Sequence, residues 1–104
     1  MPYDLIVATY CFDIDGTLCA QEKSDYSLAQ PFRSRIDRVN SLFDEGHRIV
    51  LFTARGSKSG LDWRELTVVQ LDEWGVSYHD LILGKPHADF YIDDKAIHPD
   101  HFDW

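Results

Sequence analysis

The sequence has few cysteines, no long apolar run and few basic residues, and each shortage excludes a class of protein. Its two cysteines, Cys11 and Cys19, are too few for a disulfide framework, so we expect two reduced thiols. No apolar run approaches the roughly 20 residues that a membrane-spanning helix needs. The N-terminal residues, Met1 to Asp4, lack the basic start of a secretory signal. These features predict a cytoplasmic protein with no membrane partner.

Basic residues are outnumbered by acidic ones. Ten Lys and Arg stand against 18 Asp and Glu, which gives a formal net charge of −8. A nucleic-acid partner is disfavoured, because a phosphate backbone is bound by a net basic surface that displaces its counterions. The excess of carboxylates instead favours binding of a divalent cation.

The length of the chain and the alternation of its apolar and amphipathic segments predict one α/β domain over residues 1–104. A chain of 104 residues with 44% apolar residues can form one compact core. Gly and Pro divide it into short apolar runs that alternate with longer amphipathic ones. Since crossover connections between strands are right-handed in nearly all cases, we expect the strands to lie parallel with their carboxyl ends at one edge. The expected fold is a Rossmann-like parallel sheet in three layers, with helices on both faces.

Four apolar runs predict the strands of this sheet. They cover Leu5–Phe12, Arg48–Thr53, Leu81–Leu83 and Asp89–Ile92. The first run is nearly continuous and rich in β-branched and aromatic residues, which is typical of a strand buried on both faces.

Two amphipathic segments predict helices between the strands. The first runs from Pro31 to about Glu45 and the second from about Leu61 to Trp74. The apolar stripe expected to face the sheet from the second helix consists of Trp63, Leu66, Val69 and Trp74. Loops are expected over Leu18–Gln30 and Gly56–Gly60.

Polar side chains stand at the carboxyl ends of all four predicted strands, the edge at which open α/β sheets bind ligands. They are Asp13 and Asp15 after the first strand, Thr53 at the end of the second, Lys85 after the third, and Asp93 and Asp94 after the fourth. Several carboxylates brought together repel one another unless a cation neutralises them. Oxygen ligands alone favour magnesium over zinc, so the pattern predicts a Mg²⁺ site.

The same edge of the sheet is suited to a phosphoryl group. Lys85 can neutralise phosphate oxygens and Thr53 can donate a hydrogen bond to one of them. A bound metal would offset the combined negative charge of phosphate and carboxylate. A small-molecule phosphate ester is therefore the predicted partner.

These residues resemble the motifs of a known family. The segment from Phe12 to Leu18, FDIDGTL, resembles the DxDGT signature of the haloacid dehalogenase-like (HAD) hydrolases. Three further segments resemble the later motifs in the same order: Ile49–Thr53, Gly84–Pro86 and Phe90–Asp94. The resemblance covers about residues 10 to 97 and implies a magnesium-dependent phosphatase with an HAD-like core.

The resemblance also implies a role for each matching residue. Asp13 is similar to the nucleophile that becomes an aspartyl phosphate and also binds the metal, and Asp15 to the general acid and base whose carbonyl binds the metal. Gly16 matches a phosphate-binding position of the signature. Asp94 is expected as a direct metal ligand and Asp93 as a second ligand or a water anchor, although such a pair can also form a turn.

No insertion large enough for a cap domain separates the motifs. The resemblance therefore implies a capless member, whose open site acts on a large substrate or is covered by a second subunit, and we expect a homo-oligomer on that basis. The motifs look most like those of small phosphatases associated with sugar or capsular polysaccharide biosynthesis. Phosphorylated sugars are thus the leading substrates, and nucleotide or polynucleotide-end phosphates are second.

Two further cations are candidates for substrate binding. Arg55 follows Thr53 by two positions and could recognise a second anionic group, although a surface role is as consistent with the sequence. Lys58 lies in the predicted loop and has a weaker claim. The spacing of His98 and His101 suits a metal, but no third ligand accompanies them, which disfavours zinc.

A different class of protein shares part of this pattern. Receiver-like domains that accept a phosphoryl group also cluster Asp, Thr and Lys at strand ends, without being phosphatases themselves. The distinguishing residue is Asp15, because such a domain has no acid and base two residues after its acceptor aspartate. A non-catalytic phospho-accepting domain is the alternative to the enzyme.

Overall fold

A computed structural model of the protein describes residues 7–20 and 25–104 and contains a three-stranded parallel sheet with strand order β1-β2-β3. The elements are β1 (Thr9–Phe12), α1 (Arg33–Asp44), β2 (Arg48–Thr53), α2 (Arg64–Glu73) and β3 (Asp80–Leu83). Short 3-10 turns lie at Tyr26–Leu28 and Pro99–His101. The predicted parallel α/β architecture is confirmed.

The three strands agree with prediction to differing degrees. β2 has the predicted bounds, and β3 begins one residue earlier, at Asp80. β1 begins at Thr9 and not at Leu5, and the predicted positions 5 and 6 lie outside the described residues.

The predicted fourth strand, Asp89–Ile92, is wrong. This segment is described and makes no strand pairing, and the side chains of Phe90 and Ile92 are 84% and 100% exposed. Strand preference is realised only where neighbouring strands and a packed face bury the side chains. No such neighbour contacts this segment among residues 7–20 and 25–104, so its apolar composition alone does not make a strand.

One face of the sheet carries the core. Phe12 pairs in register with Leu51 and Leu51 with Leu81, so all three side chains point to one face, where they are buried. On the opposite face Cys11 and Ile82 are exposed. Right-handed crossovers in a β1-β2-β3 order place both helices on the same side of a sheet. The described residues accordingly do not confirm the predicted third layer.

The helix α1 follows its sequence pattern closely. It begins two residues after Pro31 and buries Ile36, Val39 and Leu42 against the sheet. Gly46 follows the helix with a φ of 95°, a conformation that glycine adopts without a steric cost. This ends α1 and returns the chain to β2.

The apolar stripe predicted for α2 is only partly correct. Trp74, just after the helix, is buried, but Val69 is 48% exposed. The buried helical side chains are Thr67, Gln70 and Leu71. The helix is rotated so that two polar side chains face inward, where they contact a buried arginine of the site.

An aromatic group from the C-terminal segment supports the end of β1. The rings of Phe102 and Trp104 lie 5.8 and 5.7 Å from that of Phe12, and the Arg35 guanidinium lies over the Trp104 ring. Because Phe12 immediately precedes Asp13, this packing fixes the point at which the chain enters the site. Neither helix in the part of the chain that the structure describes is long and apolar enough to cross a membrane.

Candidate active site

An open crevice of about 1010 Å³ lies at the carboxyl ends of the three strands. Its walls come from the turn after β1, the loop after β2 and the segment after β3. The structure brings six residues singled out in the sequence into this crevice: Asp13, Asp15, Thr53, Arg55, Lys58 and Lys85. It adds residues that sequence reasoning did not select, among them Tyr26, Ser59, His87, Asp89 and Tyr91.

Asp13 stands directly after β1 with its carboxylate towards the crevice. Its side chain is 34% exposed, and its Oδ1 lies 3.6 Å from the Lys85 Nζ. The Thr17 hydroxyl donates a long hydrogen bond of 3.5 Å to Oδ2. Burial raises the pKa of Asp13, an effect that the Lys85 charge partly opposes. A carboxylate in this position is stabilised by a further positive charge.

The turn after Asp13 is fixed by its own backbone. The Ile14 carbonyl accepts hydrogen bonds from the N–H groups of Leu18 and Cys19, at 2.8 and 3.3 Å. Gly16 adopts a φ of 84°, which L side chains rarely occupy, and its N–H donates to the Cys19 carbonyl at 2.8 Å. Gly16 does not line the crevice, and its donor is already used. The structure therefore gives Gly16 a role in shaping the turn, and its assignment to phosphate binding stays a prediction.

Asp15 is held by a two-pronged ion pair. The Arg55 Nε donates to Asp15 Oδ2 and the second guanidinium nitrogen, Nη2, donates to Oδ1, both at 2.9 Å. The Arg55 side chain is fully buried and that of Asp15 is 13% exposed. The surface role considered for Arg55 is wrong, because this cation is an internal partner of the predicted acid and base.

The remaining contacts of Arg55 are also internal. Its Nη1 donates to Thr67 Oγ1 at 3.1 Å and to Gln70 Oε1 at 2.6 Å, and the Tyr26 ring lies 4.7 Å from the guanidinium carbon. Burial opposes the charge of Arg55, but the hydrogen bonds and attraction of Asp15 outweigh it, so the pKa of Arg55 is raised. Arg55 remains a cation at any working pH, and four of its five guanidinium N–H groups donate to protein oxygens.

Cys19 lies against the same carboxylate. Its Sγ is 3.5 Å from Asp15 Oδ1, and the residue is fully buried. Burial, together with the charge of Asp15, raises the pKa of Cys19 to about 12. This thiol is therefore protonated near neutral pH and acts as a hydrogen-bond donor beside Asp15. The structure describes both cysteines as free, as predicted.

Thr53 and Lys85 are anchored to each other across two strand ends. The Lys85 N–H donates to the Thr53 carbonyl at 3.1 Å, and the Ser57 hydroxyl donates to the Lys85 carbonyl at 2.6 Å. Thr53 is 1% exposed as a residue, and its Oγ1 accepts from the Arg55 N–H at 3.1 Å. That bond uses the oxygen as an acceptor, so the hydroxyl hydrogen is available to a ligand in the crevice.

Asp93 and Asp94 are not part of this assembly. Both are exposed, and neither lines the crevice. Within residues 7–20 and 25–104 no group of three or more His, Cys, Asp or Glu side chains could hold a metal. Asp93 accepts a hydrogen bond from the Lys95 N–H at 2.9 Å, which lowers its pKa and makes it a turn residue. The predicted convergence of four strand ends is wrong for the fourth, because that strand does not form.

His98 and His101 also have a local role. The His98 Nδ1 accepts from the Asp100 N–H at 3.1 Å and caps the short turn that contains His101. In the described part of the chain they join no cluster of metal ligands. The zinc site that the sequence disfavoured has no support in the structure.

The oxygen donors of the crevice suit magnesium in type but form only part of a site. Mg²⁺ commonly uses one or two protein carboxylates and completes its shell with water and substrate phosphate. Asp13 supplies one such carboxylate, whereas Asp15 is committed to Arg55. Asp89 lines the same crevice and is a second carboxylate that the sequence did not indicate. The described residues thus supply only part of a metal site, and magnesium binding stays a prediction.

Sequence reasoning missed the residues behind Asp15. Thr67 and Gln70 are polar side chains three positions apart on the inward face of α2, which is the signal that could have identified them. Tyr26 is an aromatic residue in an otherwise polar loop, and no periodic pattern marks it. These residues matter because they complete the surroundings of Arg55.

A solved structure resembles this chain over most of its length. It is the crystal structure of a target protein from Vibrio cholerae, with 30% sequence identity and a TM-score of 0.80. The match covers 90% of this chain and 85% of the other, which has no functional name. No model of a known protein family matches this chain, and no curated protein matches it.

Proposed function

This chain belongs to the same family as the Vibrio cholerae protein, and we propose that it is a magnesium-dependent phosphatase acting through an aspartyl phosphate. One observation carries the proposal. The carboxylate of Asp13, the amine of Lys85 and the hydroxyl of Thr53 line one open crevice, with a positioned second carboxylate, Asp15, in the same wall.

The finer fold assignment is part of this proposal. We assign the chain to the HAD-like hydrolases, as a core without a cap domain. The parallel order β1-β2-β3 supports it, as does the short connection from Asp13 to α1 at Arg33, which leaves no room for an inserted domain. The positions of the motif residues at the ends of β1, β2 and β3 also support the assignment.

Asp13 acts as the nucleophile. Its carboxylate is partly exposed at the end of β1, and Lys85 lies beside it to balance the negative charge of an approaching phosphate. One oxygen of Asp13 forms a bond to phosphorus while the bond from phosphorus to the ester oxygen breaks. The product of this first step is a phosphorylated Asp13 and a free alcohol.

Asp15 moves the proton in both steps. In its protonated form it gives a proton to the departing ester oxygen, and as a carboxylate it then takes a proton from the water that attacks phosphorus. That attack releases inorganic phosphate and restores Asp13. Thr53 and Lys85 bind the nonbridging oxygens, on which charge spreads in each transition state.

Magnesium, when bound, offsets the combined negative charge of Asp13 and the phosphate group. The support for the ion is chemical, because the crevice offers carboxylate oxygens and burial raises the pKa of Asp13 although the Lys85 amine lies 3.6 Å away. Asp13 is the proposed protein ligand, with the Asp15 carbonyl. Asp89, which lines the crevice, is the proposed second carboxylate, whereas Asp94 lies outside the crevice.

The substrate is proposed to be a phosphorylated sugar or a similar small metabolite. A volume of about 1010 Å³ exceeds what a phosphate group alone requires, and the open walls offer Tyr26 and Tyr91 as aromatic surfaces with Ser59 and His87 as polar groups. Nucleotide phosphates are second, and the net charge of −8 opposes a polynucleotide. A second subunit that covers the open crevice remains part of the proposal, as does a cytoplasmic location.

Hydrolysis of p-nitrophenyl phosphate tests the proposal. We expect turnover with Mg²⁺ that is abolished by EDTA, and a loss of at least about 10³-fold in kcat for Asp13→Asn, because the amide keeps the shape but cannot attack phosphorus. Asp37→Asn, on the exposed side of α1, is the matched control and is expected to retain activity. Absence of turnover across a panel of phosphate esters at micromolar enzyme would favour the phospho-accepting domain instead.

A further inference from the structure

The Arg55 guanidinium is the centre of a buried network that reaches beyond the reacting groups. It connects Asp15, on the turn after β1, with Thr67 and Gln70 on α2. All of its partners are protein groups, and its side chain has no exposed surface. A buried charge is costly unless it is fully paired, so this arrangement depends on each acceptor being in place.

The geometry of the guanidinium links the two sides of the network. The group is planar and rigid, and its nitrogens point in fixed directions. Thr67 and Gln70 hold Nη1 at 3.1 and 2.6 Å, and this fixes the plane in which Nε and Nη2 meet the two oxygens of Asp15. The orientation of the Asp15 carboxylate is thereby set from α2, which carries no reacting group.

The loop that contains Tyr26 is tied to the same group by two contacts. Gln70 uses its Nε2 to donate to the Tyr26 carbonyl at 2.6 Å, while its Oε1 accepts from Arg55. The Tyr26 ring lies against the guanidinium and makes an edge contact with Trp63, with ring centres 5.0 Å apart. One amide side chain thus connects a wall of the crevice to the ion pair behind Asp15.

We propose that Arg55 is a positioning residue for Asp15, and that Gln70 couples this positioning to the placement of Tyr26 in the wall of the crevice. The effect of this positioning on catalysis rests on the proposed function, in which Asp15 transfers the protons. The network would hold the Asp15 oxygens within reach of the leaving group and the attacking water. Disturbing it would impair proton transfer more than nucleophilic attack by Asp13.

The leaving group provides a test that a loss of folding would not mimic. An alkyl phosphate needs its ester oxygen protonated as it departs, whereas p-nitrophenolate leaves without a proton. For Arg55→Lys and Gln70→Met we expect kcat/KM to fall about tenfold or more with glycerol phosphate and much less with p-nitrophenyl phosphate. Val69→Ala, on the exposed side of α2, is the control and should change neither rate. Equal losses with both esters, or no loss with either, would overturn the proposal.

A second readout requires no turnover. The Arg55 Nε–H should give an NMR signal that exchanges slowly with water, and Gln70→Met should speed that exchange about tenfold or more, since the pairing opens more often. Val69→Ala should leave the signal unchanged. If the unmodified protein hydrolyses no ester, the proposed function fails while this measurement still decides the positioning. An Arg55 signal unaffected by Gln70→Met would overturn the network proposal even in an active enzyme.

Discussion

Two sides of the crevice, the wall behind Asp15 and the wall formed by the segment after β3, are built in different ways. Behind Asp15, the Arg55 group is buried among side chains from α2 and the loop of Tyr26, with distances of 2.6 to 3.1 Å to its acceptors. Opposite it, residues 86–98 are exposed throughout, and Asp93 bonds only to the turn it belongs to. The first wall is held by tertiary packing and the second by local turns. A carboxylate is therefore already oriented on one side of the site, whereas no acidic cluster is assembled on the other.

Removing the central cation should have the largest effect on stability. Arg55→Ala removes the cation paired with the mostly buried Asp15 carboxylate and the donor to the Thr67 and Gln70 oxygens, so we expect the free energy of unfolding to fall by about 3 to 5 kcal/mol. Lys58→Ala removes an exposed cation from the same crevice and should change it by less than about 0.5 kcal/mol. Urea denaturation measures both. Similar losses of unfolding free energy in the two variants would contradict the claim that Arg55 is held by tertiary packing.

The loop after β2 allows a second comparison, between two glycines in the same backbone region. Gly56 and Gly60 have φ values of 81° and 77°, so alanine is strained at either position. At Gly56 the added Cβ would also overlap the Leu61 carbonyl oxygen, whereas at Gly60 it meets nothing within 4 Å. We expect Gly56→Ala to destabilise by about 2 to 3 kcal/mol and Gly60→Ala by about 1 kcal/mol. Thermal unfolding of the pair checks this, and an equal loss would show that the loop relaxes freely.

Substitution of two acidic residues in the exposed wall tests which of them binds magnesium. If Asp94 supplies the second magnesium ligand, Asp94→Asn should raise the Mg²⁺ concentration for half-maximal activity about tenfold. If Asp89 does so, Asp89→Asn should have that effect instead. Magnesium titrations of the two variants assign the ligand. Titration curves for both that match the unmodified protein would show that neither carboxylate holds the ion.

The smallest expected effect concerns the reactivity of the two thiols, one of which is buried and the other exposed. Cys19 is fully buried beside Asp15 with its pKa raised to about 12. Cys11 lies exposed on the open face of the sheet, and partial burial raises its pKa too, so the two thiols differ chiefly in their access to a reagent. A raised thiol pKa means that the reactive thiolate appears only as the pH rises towards that value. At pH 8 iodoacetamide should therefore modify Cys11 and leave Cys19 intact, and peptide mass spectrometry reports both. Rapid modification of Cys19 in folded protein would contradict the packed wall.

The sequence predicted the features that depend on one element at a time. The apolar run of β2 and the amphipathic segment of α1 are local patterns, and the predicted strand and helix are both confirmed. The meeting of Asp13, Thr53 and Lys85 followed from parallel strands, whose carboxyl ends share an edge.

The predictions that were wrong concern features that depend on residues far apart along the chain. The segment Asp89–Ile92 has strand composition, but strand formation requires a neighbouring strand to pair with it. The rotation of α2 follows from the need of Arg55 for buried acceptors, and this need is visible only once the arginine is known to be internal.

The most direct test of the central claim is to trap the intermediate. Asp15→Asn should slow the water attack more than it slows formation of the intermediate with p-nitrophenyl phosphate, which needs no proton for its leaving group. Acid-quenched protein from this variant should then carry one phosphoryl group, located by peptide mass spectrometry on Asp13 and absent when Asp13→Asn is added. Single-turnover release of phosphate with no phosphoryl group on the protein, or with the group on another residue, would contradict the account.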